Sequence, residues 1–126
     1  MLDMDRAREV FEDSEDFTVG IEEEFLILDP QTLDLVQRFE ELQEAAKADP
    51  PLAESITGEL IASEIEIRSG RGATFADAAA RQHDMRVRLF RLAANQGVRL
   101  GATGTHPWAP WQEQRIIDTP HYRRRE

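Results

Sequence analysis

The stretch "TVGIEEEFLILDPQT", Thr18 to Thr32, constrains this chain more than any other, because it sets three consecutive glutamates inside an apolar, strand-forming run. Side chains of a strand alternate between faces, so Phe17, Val19, Ile21, Phe25 and Ile27 point one way while Glu22 and Glu24 point the other. The spacing predicts a strand over Phe17 to Leu28, ended by Asp29-Pro30, since proline lacks the amide donor that a ladder needs. Glu23 falls on the apolar side and needs a basic partner there, with an arginine of a covering helix the expected one. A segment with one acidic and one apolar face suits a sheet covered on a single side.

Leu60 to Ser69 repeats the pattern: Ile61, Ile65 and Ile67 share one face, and Glu64, Glu66 and Arg68 share the other. A third strand is predicted over Val98 to Ala102. Between the strands lie helical periods. Asp34 to Ala48 carries Leu35, Phe39, Leu42 and Ala46 at helical spacing, and "ADPP" is expected to stop it at Pro51. Thr74 with Asp77 forms a capping-box signal that opens the longest helix, with Phe75, Ala79, Met85, Leu89 and Leu92 on one side and Gly97 as its stop. Asp3 to Asp13 forms a short helix with Ala7, Val10 and Phe11 inward. The alternation of strands and helices would permit parallel βαβ units. Strands with one charged face instead favour an α+β fold, an antiparallel sheet with helices on one face.

Two such strands side by side would gather carboxylates on one surface. Like charges about 4 Å apart repel by roughly 4 kcal/mol at an effective dielectric near 20, so a tight cluster requires protonation, arginine partners or a bound cation. Oxygen ligands without His or Cys select a hard cation, with magnesium favoured where phosphate is also bound. Spacing alone favours glutamates that are simply solvated on the exposed face of an acidic protein. Composition narrows the partners: 25 acidic against 15 basic residues, a formal charge of -10, disfavours nucleic acid and anionic membranes. The acidic N-terminus is unlike a secretory signal and no apolar run reaches spanning length, so the expected location is cytoplasmic. Without cysteine there is no disulfide, thiolate ligand or thiol nucleophile.

Three blocks, "TVGIEEEFLILDPQT", "ITGELIASEIEIRSG" and "GATGTHPWAPWQEQRIIDTPHYRR", resemble in order and spacing the glutamate-cysteine ligase type 2 family, also called carboxylate-amine ligases. The resemblance implies a glutamine synthetase-like fold, an antiparallel sheet forming a curved wall around the active site. It implies ATP-dependent amide formation between the γ-carboxylate of glutamate and the amine of cysteine, with Mg2+ or Mn2+ and with ATP as co-substrate. By the same resemblance Glu22, Glu24, Glu59 and Glu66 are the expected metal ligands, with Glu64 a further candidate. Glu59 and Glu66 are seven apart, which in a straight strand puts them on opposite faces, so a bulge or a bend near Gly58 is required.

Arg68, beside the carboxylates, is a candidate for holding a substrate carboxylate or for neutralising Glu66. His106, in the "GTHP" loop after the third strand, is a candidate general base or a loop-packing residue. Trp108 and Trp111 line a ligand wall or cover missing neighbours, and Arg81, Arg86, Arg88 and Arg91 read as a solvated helix face or a contact to an acidic partner rather than a phosphate site. Thr119 and Pro120 start a helix that runs out after six residues, so 1–126 is expected to be the N-terminal part of a single ligase domain. An open sheet edge would then invite self-association. The competing reading is a non-catalytic acidic module that binds metal or a partner protein.

Overall fold

A computed structural model describes residues 3–118 of the chain. Its elements are α1 (Met4–Glu12), β1 (Glu22–Leu28), α2 (Phe39–Ala46), α3 (Pro50–Ser55), β2 (Ile56–Thr57), β3 (Glu64–Arg68), α4 (Phe75–Asn95) and β4 (Arg99–Gly101), followed by a single 3-10 turn at Trp111–Glu113. The strands form one sheet in the order β2-β3-β1-β4. Every neighbouring pair is antiparallel, so the architecture is α+β. Thr119 and Pro120, expected to open a helix, lie outside the described residues.

Alternation decides which face is buried. Phe25, Ile27, Ile65, Ile67 and Ile56 join Phe39, Leu42, Ala46 and Leu52 of α2 and α3 and Leu89 and Ala93 of α4 in one hydrophobic cluster. The ring of Phe25 meets Phe90 of α4 edge-on at 5.3 Å between centroids. Thr74 caps α4 as its sequence predicts, its hydroxyl accepting from the Asp77 amide at 3.1 Å. The left-handed Gly97 (φ +70°) lies just beyond the helix.

Several expectations are corrected. The first strand begins at Glu22; Phe17 is 97% exposed and left-handed, and Val19 pairs only with Gly72 through an isolated bridge. The helix expected from Asp34 begins at Phe39, because Leu35 bridges back to Leu28 and the Val36 amide donates to the Ile27 carbonyl at 2.9 Å. The "ADPP" stop is also a start: Pro50 and Pro51 occupy the first turn of α3, where a missing amide costs nothing. Neither α3 nor the two-residue β2 is visible in the periodicity. In α1 no residue is buried, and Phe11 is exposed where it was expected inward. Phe75 likewise faces out, while Ala78 and Gln82 take the buried positions of α4.

Candidate metal centre

The acidic face is assembled by register. Glu24 of β1 lies opposite Glu66 of β3, and Glu22 lies opposite Arg68. On the far side of β3, Thr57 of β2 lies opposite Glu66. Cross-strand partners share a face. Glu59 follows β2 in the segment between Gly58 and Ser63, where the chain reverses before β3 begins, so the parity of a straight strand does not apply to it. Gly58 allows this path because a Cβ there would lie 2.7 Å from atoms of Phe39 and Ile117.

Carboxylate oxygens of Glu24, Glu59 and Glu66 all lie within 4.8 Å of one another. Glu66 is only 6% exposed, Glu59 half-buried and Glu24 open to solvent. Burial, a hydrogen bond shared with Glu59 and the charges of Glu22 and Glu59 push the Glu66 carboxyl up to about 7, against the opposing pull of Arg68. Glu64 is also raised, first by burial and then by the charges of Glu24 and Glu59. Arg68 relieves little of this, since its Nε is 3.9 Å from Glu66 Oε1. The all-oxygen donor set fits a hard divalent cation. Its spread is close to the about 4.2 Å that separates opposite oxygens around magnesium.

Glu22 and Glu64 stand on the same face outside this three-carboxylate group. His106 lies in the loop after β4, its Nε2 paired with the Leu33 carbonyl at 2.9 Å and its Nδ1 accepting from the Ala109 amide at 3.1 Å. A general-base role would require breaking one of these bonds. Trp108 stacks edge-on against His106 and donates to Asp34 at 2.8 Å, which fastens the 102–110 loop to the turn after β1. Of the four arginines expected on a solvated face of α4, Arg81 and Arg88 bind neighbouring aspartates, while Arg86 reaches the sheet. It pairs with Glu23, its Nε 3.1 Å from Glu23 Oε2, and so supplies the arginine that the sequence demanded behind the strand.

Sequence reasoning missed Gln82. Its Nε2 donates both to Glu23 Oε2 at 3.0 Å and to the Ile67 carbonyl at 3.2 Å. One amide thus ties β1 and β3 together beside Glu24 and Glu66. A polar residue at an α4 position that must face the sheet was the available signal.

Fold and site together define an α+β protein with converging carboxylates on the open face of an antiparallel sheet. The chain belongs to glutamate-cysteine ligase family 2 (GCS2), whose model matches residues 18–126. A Rubrobacter xylanophilus relative named "Putative glutamate–cysteine ligase 2-3" is 39% identical over 108 residues, covering 86% of this chain and 30% of the relative. Proteins given that name without the final numeral, from Solibacter usitatus and Jannaschia sp., are 37% and 36% identical, covering 84% and 86% of this chain. The chain spans 27% and 28% of those two relatives' lengths. No helix among the described residues is long and apolar enough to cross a membrane.

Proposed function

We propose that this chain supplies the metal-holding wall of an ATP-dependent carboxylate-amine ligase that joins the γ-carboxylate of glutamate to the amine of cysteine or a similar amine. On this reading the sheet is one side of a glutamine synthetase-like site. The observation that carries it is the convergence of Glu24, Glu59 and Glu66 in a family named for this ligation.

The chemistry accounts for the acidic face. A carboxylate is a poor acyl donor until an oxygen of it attacks the γ-phosphorus of ATP, releasing ADP and leaving an acyl phosphate. The amine nitrogen then attacks the acyl carbon, phosphate departs, and the nitrogen loses a proton as the amide forms. Magnesium or manganese, when bound, supplies neutralisation of the ATP phosphates. The chain's own work is to hold that charge in place. Glu24, Glu59 and Glu66 are the ligands, with Glu22 and Glu64 extending the acidic surface beside them. Glu66 would have to give up its proton to hold the cation, so its raised proton affinity sets protonation against cation binding below about pH 7. Arg68, two residues along β3 from Glu66 on the same face, is the candidate for holding a substrate carboxylate. His106 serves by holding its loop.

Calorimetric titration of Mn2+ into the chain, with and without ATP, tests this reading. The wild type is expected to give a saturable heat. A Glu24→Gln/Glu59→Gln/Glu66→Gln variant is expected to bind at least tenfold more weakly. Equal binding by a folded triple variant would sink the assignment.

A further inference from the structure

Resting on the reading of the acidic face as a metal wall, we infer that Glu23, Gln82 and Arg86 are positioning residues. From behind the sheet they pin the strand register that brings Glu24 opposite Glu66. Glu23 and Ile67 are themselves cross-strand partners, and their row lies between that of Glu22 with Arg68 and that of Glu24 with Glu66. Both meet one atom of α4, since Gln82 Nε2 donates to Glu23 Oε2 at 3.0 Å and to the Ile67 carbonyl at 3.2 Å. Arg86, one helical turn on, holds the same carboxylate through its Nε and a terminal nitrogen.

A pin is needed because the alternation of the two strands does not choose among registers two residues apart. A slip of one residue would turn the apolar set outward. A slip of two keeps both faces: Glu24 would meet Arg68, Phe25 would meet Ile67 and Ile27 would meet Ile65. The ladder's own hydrogen bonds repeat every two residues and do not discriminate either. Charge favours the slipped arrangement, because opposite charges facing each other across a strand pair stabilise it and like charges destabilise it. The observed register instead sets Glu24 against Glu66, with carboxylate oxygens of both within 4.8 Å of each other and of Glu59.

The clamp on the apolar side decides against the slip. Moving β1 by two residues displaces Glu23 from Ile67 by about 7 Å along the strands. One Nε2 cannot then bond both acceptors. Gln82 is 4% exposed, and its Oε1 has no hydrogen-bond partner among the described residues, so Nε2 carries the bonding of the side-chain amide. Breaking those bonds would leave polar groups buried and unpaired, which is costly. The carboxylates in front therefore converge because of polar groups behind, and the middle glutamate of "EEE" has a role distinct from its two neighbours: it fixes the strand that carries them.

The test compares three variants with the wild type by calorimetric Mn2+ titration and by NMR contacts across the strands of the labelled chain. Glu23→Leu/Gln82→Leu/Arg86→Leu replaces the polar groups by an apolar surface, a change that often leaves stability unaltered or raised. It is expected to lose contacts between Glu24 and Glu66, to gain contacts between Glu24 and Arg68, and to bind Mn2+ at least tenfold more weakly. Glu23→Gln removes the charge but keeps an acceptor for Gln82, and is expected to retain the native contacts and nearly the wild-type affinity. Gln82→Leu keeps the ion pair but removes the clamp, and is expected to weaken Mn2+ binding more than Glu23→Gln does. Should the triple variant fail to fold, that order decides. Persistence of the contacts between Glu24 and Glu66 in a folded triple variant, or weaker Mn2+ binding by Glu23→Gln than by Gln82→Leu, overturns the pin and leaves the ligase reading standing. Absence of Mn2+ binding by the wild type strikes the metal reading instead, and the cross-strand contacts of the variants then decide the pin by themselves.

Discussion

At the scale of single residues, Glu66 sets the terms. Its folded-state carboxyl titrates near 7 against an ordinary 4.5, so between those values the folded chain keeps a proton that the unfolded chain has lost. Stability contributed by that proton is complete below about 4.5, falls as pH rises to about 7 and is flat above it. Asp34 and Glu40 act with the opposite sign at lower pH, held below their ordinary values by hydrogen bonds from Trp108 and Arg115 respectively. Comparing the wild type with Glu66→Gln isolates the Glu66 contribution. Thermal unfolding between about pH 5 and 7.5 should show a falling Tm for the wild type and a flatter profile for the variant, by the linkage of proton binding to folding. Parallel profiles would show that Glu66 titrates normally. Glu23 was legible in the sequence as a charge needing a partner, because strand alternation alone places it on the apolar side. The identity of that partner was not, since Arg86 lies 63 residues away and reads locally as one of several surface arginines.

At the scale of elements, alternation and capping were informative where an element is long and one-sided. β1, β3 and α4 follow their patterns over most of their lengths. Short pieces were illegible: α3 has six residues and β2 two, too few to show a period, and both exist because of what they pack against. α2 starts later than its periodicity because Leu35 and Val36 pair with the end of β1, a tertiary hydrogen-bond preference that overrides helix spacing. α1 keeps an amphipathic pattern with no core beneath it, so pattern alone overstated its role. The union of α4 with the sheet rests on packing and on Gln82, whose Nε2 bridges two strands and whose Oε1 is buried without a hydrogen-bond partner among the described residues. Gln82→Ala should destabilise the chain by about 1–3 kcal/mol, the usual cost of leaving buried polar groups unpaired. Urea unfolding measures it, and a change below about 0.5 kcal/mol, typical of inert surface sites, would show that the bridge is dispensable.

At the scale of the whole molecule, a formal charge of -10 meets a concentrated acidic face. A divalent cation that binds only the folded state raises stability by about 1.4 kcal/mol at ten times its Kd, which for a chain of this size moves Tm by roughly 5 °C. Mg2+ should produce such a shift in the wild type and much less in the variant lacking the three carboxylates. Sodium chloride at matched ionic strength screens charge without occupying a site and should do less. Equal shifts with both salts would reduce the acidic face to a general screening effect. The outermost strands, β2 and β4, are two and three residues long, so each offers little edge for self-association. The sequence by itself determined the α+β class, the two-faced strands, the covering helix and the family, because alternation, caps and motif order are local properties of the chain. Only the tertiary structure decided which carboxylates meet: Glu59, in the segment that follows β2, joins Glu24 and Glu66 because β2 pairs with β3 and β3 with β1. Those meetings are set by pairing between distant segments, which no local period encodes.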